Sequence, residues 1–450
     1  MADTTVAGEG VGVFTRDQVQ ILSARKGEPE WLQEARLAAY DAFAEAPMPT
    51  TRVEEWRYTD IGSVLKLEPL GFAEEARPVD TAEGLPAGLR AVLAEAGSAS
   101  ARLAQTDASV TLRELPEELR ARGVVFTSLE AAVREHPERV RRYLGTAVTP
   151  QAGKFAALST AFWTGGLFLY VPRDVRVEVP FRSYRWVSEG GCSVFPRTLV
   201  VAEPGAEVAL VDELASPDLG RQTLAVPAAE IFAEEGARVT YVALQRWGAG
   251  VVHLGTDRVV AGRDARVTAL YMALGGDLAR SDVQCRLAKP GSHVDLLGLY
   301  ITDGAQHVDH ETLQDHASPH ASSNLLFKGA LRDRSRSVFR GLIRVHPGAQ
   351  RTDAYQTNRN LILSSEARAD SLPNLEIQAD DVRCSHAATV GQLDEEEIFY
   401  LLSRGIPKAE AVRLVVFGFF GEVLEQLPLP GVREELMRAV ERKLARAREA

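Results

Sequence analysis

The feature that most constrains this chain is a turn that recurs. Four segments open with a small-residue turn, continue with a polar residue and reach a valine: Pro204-Gly205-Ala206-Glu207-Val208, Glu235-Gly236-Ala237-Arg238-Val239, Arg263-Asp264-Ala265-Arg266-Val267 and Pro290-Gly291-Ser292-His293-Val294. Counted at Ala206, Ala237, Ala265 and Ser292, the copies are 31, 28 and 27 residues apart, and weaker echoes stand at Pro347-Gly348-Ala349 and Ser365-Glu366-Ala367. Between the turns lie short β-branched and aromatic runs, such as Thr198-Leu199-Val200-Val201 and Arg266-Val267-Thr268-Ala269-Leu270-Tyr271, which read as strands. One coil of two or three short strands cannot bury its own apolar face, so a repeat of this length predicts a β-solenoid of stacked coils. An array of β-sandwich domains also spaces short strands regularly, but it gives no reason for one turn chemistry to return in near-constant register.

Outside this stretch the apolar period changes from 2 to 3.6. Pro29 at a first-turn position, then Leu32, Ala35, Ala39 and Phe43, predict an amphipathic helix that Pro47 and Pro49 end. Thr127 and Glu130 have capping-box spacing for a helix running through Leu129, Val133 and Tyr143 to Gly145. The Ala-, Glu- and Pro-rich stretch 72–122 reads as a loosely attached helical region. After the strands, Asp394 is placed as an N-cap with Glu395, Glu396 and Glu397 in the first turn, where the helix dipole favours acids, and Gly405 stops that helix. Pro407 restarts a helix whose run Leu414 to Phe420 is apolar on every side; such a helix must be covered by the solenoid end or by a partner, and it is expected to cap the solenoid. A last helix runs from Val432 to about Arg446. The expected organisation is a helical N-terminal domain over 1–150, a β core over 151–392 and a C-terminal helical domain over 393–450, in keeping with roughly 150 residues per domain.

Composition narrows the function classes. The 62 acids exceed the 51 bases, for a formal charge of -11, which repels nucleic acid and anionic membrane unless bases are concentrated locally. The best such patch, Arg433 to Arg448, is interleaved with Glu434, Glu435, Glu441 and Glu449 and reads as a solvated helix face. The first residues lack a signal-peptide pattern and no run approaches the ~18 apolar residues of a membrane span, so a cytoplasmic protein is expected. Cys192, Cys285 and Cys384 lie about ninety residues apart without CxxC or zinc-finger spacing, which argues against a disulfide framework or a closed zinc site. There is no G-x-S-x-G elbow, and Gly153-Lys154 is followed by Phe155, so no Walker A loop is present.

Two constellations remain. In His307-Val308-Asp309-His310-Glu311-Thr312-Leu313-Gln314-Asp315-His316-Ala317-Ser318-Pro319-His320 the histidines suggest a labile metal site in a strand-to-loop segment. His307 and His310, three apart, cannot share one face of a regular strand, so structural histidines are the alternative. Cys384 and His386, two apart, do share a face, as a thiolate with a basic neighbour or two soft-metal ligands require, and Asp380 falls on the same face. A buried cysteine beside a hydrogen-bonded histidine is the ordinary alternative.

The ordered blocks Phe327-Lys328-Gly329, Val338-Phe339-Arg340-Gly341-Leu342-Ile343, Gln356-Thr357-Asn358-Arg359-Asn360-Leu361-Ile362-Leu363, Leu375-Glu376-Ile377, Asp380 to His386, Ala388-Thr389-Val390-Gly391-Gln392-Leu393-Asp394 and Ser403-Arg404-Gly405-Ile406 resemble the SufB/SufD family of iron-sulfur cluster assembly proteins. The N-terminal Glu55-Trp56-Arg57-Tyr58-Thr59-Asp60 is similar to that family too. The Cys-Ser-His before Ala-Thr is the D-type pattern, and Asn358 stands where the B-type paralogue carries its sulfur-receiving cysteine; Ala387 and His310 depart from the usual glycine and asparagine. The resemblance implies a right-handed parallel β-helix flanked by helical domains, and a non-catalytic scaffold that pairs with SufB through the β-helices, or with itself when alone. It implies docking of the SufC ATPase on the C-terminal helices, here Glu395, Glu396, Phe399, Tyr400, Arg404, Phe417 and Phe420. Cys384 and His386 would then help build a nascent iron-sulfur cluster, held only transiently; whether the complex also takes a flavin is left open. The rival readings are a β-helix carbohydrate-active enzyme, which needs an acid- or base-lined cleft along one solenoid face, and a stand-alone metal carrier using His307 and His310.

Overall fold

A computed structural model describes residues 12–446; the readings made on residues 1–11 and on the last four residues lie outside them. Sixteen strands wind as eight stacked coils. They are β1 (Leu167–Val171), β2 (Phe181–Trp186), β3 (Arg197–Ala202), β4 (Glu207–Ala215), β5 (Ala228–Ala233), β6 (Arg238–Arg246), β7 (Val251–Ala261) and β8 (Arg266–Ala273). The series continues with β9 (Leu278–Leu287), β10 (His293–Thr302), β11 (His307–His316), β12 (Ser322–Leu331), β13 (Arg336–Val345), β14 (Thr352–Ile362), β15 (Arg368–Ile377) and β16 (Val382–Gln392). Odd strands form one parallel sheet and even strands a second, so each coil adds one strand to each. The solenoid is therefore the observed core.

The repeated turn is the corner from the first sheet to the second. Gly205, Gly236, Asp264 and Gly291 hold its left-handed position, and Ala206, Ala237, Ala265 and Ser292 fill the space inside the corner with no exposed surface. At Gly291 a Cβ would also collide with the Asp264 carboxylate of the preceding corner. His320 holds the same left-handed position between Pro319 and the buried Ala321. The echo at Pro347-Gly348-Ala349 falls on this corner, whereas Ser365-Glu366-Ala367 falls on the opposite one, between β14 and β15. After each corner the repeat's valine faces inward, giving a ladder Val208, Val239, Val267 and Val294 in direct register. That ladder continues through Ser323 and Ala354 to Cys384.

Helices cover the outer faces. On the first sheet lie α1 (Arg16–Lys26), α2 (Glu30–Glu45) and α3 (Lys154–Phe162), packed on Phe168, Leu199, Val201 and Leu254. The second sheet carries α5 (Lys408–Leu424) and α6 (Pro430–Arg446), which bury Val416, Phe420, Leu436 and Val440 against Val242, Leu270 and Leu297; α4 (Glu395–Ser403) precedes them and packs on α5. A bidentate pair, Arg182 to Glu435 at 2.8 and 3.0 Å, clamps α6 to β2 with both side chains buried. The all-apolar run of α5 thus lies along a sheet face and does not cap the solenoid end.

Several local expectations are corrected. Stretch 72–122 contains two short helices, but its main feature is a hairpin, Arg102–Thr106 and Ser109–Glu114, that extends the second sheet beside β2. Its Gln105, Thr106 and Thr111 are buried, and the alternation was hidden by polar residues that bond to one another or to backbone. Ser128, not Thr127, caps the helix Leu129–Glu135, and Pro137 starts a separate helix, so the expected single helix to Gly145 is two. Pro29 is an N-cap rather than a first-turn residue.

The two ends of the solenoid differ. At the N-terminal end both sheets stop on antiparallel strands, the hairpin on one and Val125–Thr127 on the other. At the C-terminal end β15 and β16 have no further strand beside them among the described residues.

Candidate functional site

Cys384 and His386 lie on β16, at this open end. Their register partners on β14 are Ala354 and Gln356, both completely or almost completely buried inside the solenoid. Side chains at paired positions of a parallel ladder share a face, so Cys384 and His386 point to the inner face of a coil that nothing yet covers. Cys384 is half-buried against Ile343, Val345, Ala349 and Ala379, while His386 is exposed. Burial raises the Cys384 thiol above its ordinary range and the nearby Asp353 charge adds to this, against a backbone hydrogen bond from Ala354. The group is a neutral thiol at neutral pH, and a metal that binds it must displace a proton. Asp380 does not join them: β16 begins at Val382, and Asp380 sits exposed in the corner before it.

Directly beneath, the polar interior is organised by hydrogen bonds. Asn358 donates to the Tyr300 hydroxyl (3.1 Å) and the Phe327 carbonyl (3.2 Å), and accepts from Asn360 and Ser371 (both 2.8 Å). Gln356, one coil below His386, donates to the Asn374 carbonyl (3.1 Å) while its Oε1 has no partner. The surface itself is completed by residues that sequence reasoning missed: Leu375, Ile377 and Val390 are 37%, 41% and 48% exposed. The signal was available, because Leu375 and Ile377 continue inner-face ladders from the fully buried Ile343 and Val345. The open coil thus offers an apolar rim, a thiol, an imidazole and the unpaired edges of two sheets. Such edges invite pairing with another chain.

The chain passes from β16 straight into α4. The Asp394 carboxylate accepts from the Glu396 and Glu397 amides at 2.8 and 3.4 Å. Of the nine residues only Ile398 is buried, leaving Phe399 and Tyr400 at 70% and 57% exposure beside exposed Glu395 and Glu396, with the Arg404 guanidinium 5.2 Å from the Tyr400 ring centre. Phe417 is half-buried under Arg413. Phe420 is fully buried in the contact with the second sheet, so it is a packing residue and does not belong to this surface.

The histidine-rich segment proves to be strand β11 and the corner after it, and its histidines point different ways. His307 faces outward and bonds to the Thr59 hydroxyl (3.0 Å), which also donates to Asp309 at 2.5 Å. With Arg280 stacked 4.2 Å over Trp56, these contacts fix the segment Glu55 to Asp60 on the first sheet. His310 faces inward against Tyr300 and Phe327, and burial holds it down to about 4; His316, also inward, bonds to Ser323 at 2.7 Å. The strand does not bring His307 and His310 together, and the described residues contain no group of three or more side chains placed to hold a metal. A groove of about 750 Å³ runs beside this segment over the first sheet, lined by acids and bases that pair with one another or with neighbours: Arg280 with Asp309, Arg340 with Glu54 and Glu311, and Arg344 with Glu376.

Comparison with known proteins agrees with this geometry. Residues 185–419 match the SufBD core domain of the SUF system for FeS cluster assembly, and residues 14–182 match the SufBD N-terminal region. The iron-sulfur cluster assembly protein SufD of Bacillus subtilis is 31% identical over 435 residues, covering 95% of this chain and 98% of that protein. SufBD family proteins of Staphylococcus saprophyticus and Staphylococcus haemolyticus are each 28% identical, covering 94% of this chain and 92% of theirs. A single β-solenoid with one open coil, matched over nearly its whole length by these relatives, is a member of the SufB/SufD family of iron-sulfur cluster assembly proteins.

Proposed function

We propose that this chain is the D-type scaffold subunit of an iron-sulfur cluster assembly complex and does no chemistry of its own as a catalyst. The observation that carries this reading is the open coil, where a thiol and an imidazole share the inner face of the last strand beside two unpaired sheet edges. The partner on that edge is the B-type paralogue, SufB, whose own last strands extend both sheets across the junction; in its absence a second copy of this chain takes the place. Cys384 and His386 then lie inside a continuous solenoid and supply a soft sulfur and a nitrogen donor to iron that is being assembled, as cargo, with sulfide. Asn358, with every hydrogen-bonding group engaged and no thiol to accept sulfur, supports sulfur arriving through the partner. The ATPase subunit, SufC, docks on α4, where Phe399 and Tyr400 provide apolar area and Glu395 and Glu396 a charged rim. Because α4 follows β16 after two residues, docking there is mechanically close to the ligand-bearing strand.

Co-expression of His386→Ala with the two partners tests the site. Reduced maturation of cluster-dependent enzymes with an intact complex is expected, and normal maturation would remove His386 from the mechanism. The groove over the first sheet is what favours the carbohydrate-active alternative, since half-buried Glu311 is pushed up to about 8 by desolvation against the pull of Arg280 and Arg340 and could serve as an acid. The family match favours assembly, and polyuronide cleavage by the purified chain would reverse that preference.

A further inference from the structure

Inside the solenoid, between β2 and β11, the packed interior gives way to a cavity of about 40 Å³. Arg185, Asp212, His253, Tyr271 and His310 line it, and each is more than nine-tenths buried. Their hydrogen bonds to protein are incomplete in a consistent way. Arg185 gives its terminal nitrogens to Ser183 and Thr198, but its Nε has no partner. Asp212 accepts from Thr198 on Oδ2 at 2.6 Å, while Oδ1 is unpartnered and lies 3.8 Å from Arg185, beyond hydrogen-bonding reach. The Tyr271 hydroxyl and His310 Nδ1 are also without partners. His253 can be resolved further. Its Nδ1 is 3.0 Å from the Trp247 indole nitrogen, which only donates, so Nδ1 accepts and the neutral ring carries its proton on Nε2.

An unpartnered donor or acceptor in a dry interior costs about 1–3 kcal/mol, and four such atoms around one space are not four accidents. The space needs an occupant that can both give and take. Arg185 Nε and His253 Nε2 offer protons, Asp212 Oδ1 accepts one, and the Tyr271 hydroxyl does either. An anion would meet the Asp212 carboxylate, a cation would meet the Arg185 guanidinium, and anything with more than a few heavy atoms is too large. Water satisfies all of them, at about 15 Å³ of such space per molecule.

We propose that the solenoid contains a cluster of about three ordered waters, bound between Arg185, Asp212, Tyr271 and His310 as an integral part of the core. The waters complete the hydrogen bonding of side chains contributed by both sheets and so tie the sheets together where aliphatic packing is interrupted. Single-site loss is felt through the cluster, because removing one protein group releases a water that its neighbours also use.

A crystal structure of the full chain at about 1.6 Å, with parallel bromide and rubidium soaks, tests this. The expected result is about three compact peaks within hydrogen-bonding distance of Arg185 Nε, Asp212 Oδ1 and the Tyr271 hydroxyl, none of them an anomalous scatterer. In Tyr271→Phe, which keeps the ring, the peak at the hydroxyl should vanish while the others remain. Absence of density, an anomalous peak from either ion, elongated density of an organic molecule, or retention of every peak in Tyr271→Phe would overturn the proposal.

Discussion

Glu435→Gln should loosen α6 far more than its single-atom change suggests. Arg182 and Glu435 are 1% and 7% exposed at their side chains and make two parallel bonds of 2.8 and 3.0 Å; the carboxylate also accepts from the Gly97 amide at 3.2 Å, and Arg182 Nε donates to the Ser98 carbonyl. Neutralising the acid leaves a buried guanidinium opposite a group that cannot balance its charge, a situation that costs about 3–5 kcal/mol. At about 1.4 kcal/mol per tenfold change, the opening constant of α6 should rise roughly 150- to 5,000-fold. Hydrogen exchange on peptides from Pro430–Arg446 reads this directly, as a loss of two to four decades of protection. The double change Arg182→Met with Glu435→Leu should recover most of it, since apolar groups of similar volume replace a buried ion pair at little or no cost. Asp41→Asn provides the contrast: Arg16 and Asp41 are about half exposed, and protection in α1 and α2 should stay within a few-fold. A loss of less than tenfold in Glu435→Gln, or a double variant as unprotected as the sum of its singles, would refute the clamp.

Further consequences are testable on the same protein. Thr59→Val removes the hydroxyl shared by Asp309 and His307, leaves a buried carboxylate short of a donor at a cost of about 1–3 kcal/mol, and should speed proteolytic cutting within 47–60. His316 is held down to about 4 by burial, whereas in the unfolded chain it titrates near 6.5. As pH falls below 6.5 the unfolded state takes up the proton and the native state does not, so stability drops, and His316→Gln should reduce the loss between pH 6.5 and 4.5 by about 1.4 kcal/mol per pH unit in urea titrations. In a variant retaining only Cys384, alkylation at pH 7 should be slower than that of a free cysteine and should climb steeply above pH 9, because burial raises the thiol; a rate equal to free cysteine would contradict that.

The solenoid was legible because its corner has steric demands: a left-handed residue followed by a small one leaves a mark at Gly205-Ala206 that returns at Gly236-Ala237. The same logic reaches Pro319-His320-Ala321, which escaped notice because histidine holds the left-handed place and its neighbours suggested metal chemistry. Cys384 and His386 were recognisable as a pair from their spacing of two, yet their position on an uncovered inner face was not, since it depends on the coil count and on α5 lying along the sheet. The hairpin at 102–114 was hidden by polar side chains that are satisfied only in the folded hairpin. Phe420 shows the opposite failure, where an apolar run gives no hint of which side finds a partner within the chain.

The last coil is, in the proposed function, a junction between two solenoids. A photo-crosslinking residue at Val390, 48% exposed on β16, placed in the purified complex with the B-type paralogue and the ATPase, tests that most directly. The prediction is a strong crosslink from position 390 to the paralogue, lost when the two proteins are mixed without assembling. An intact complex in which position 390 reaches no partner, or only the ATPase, would contradict it.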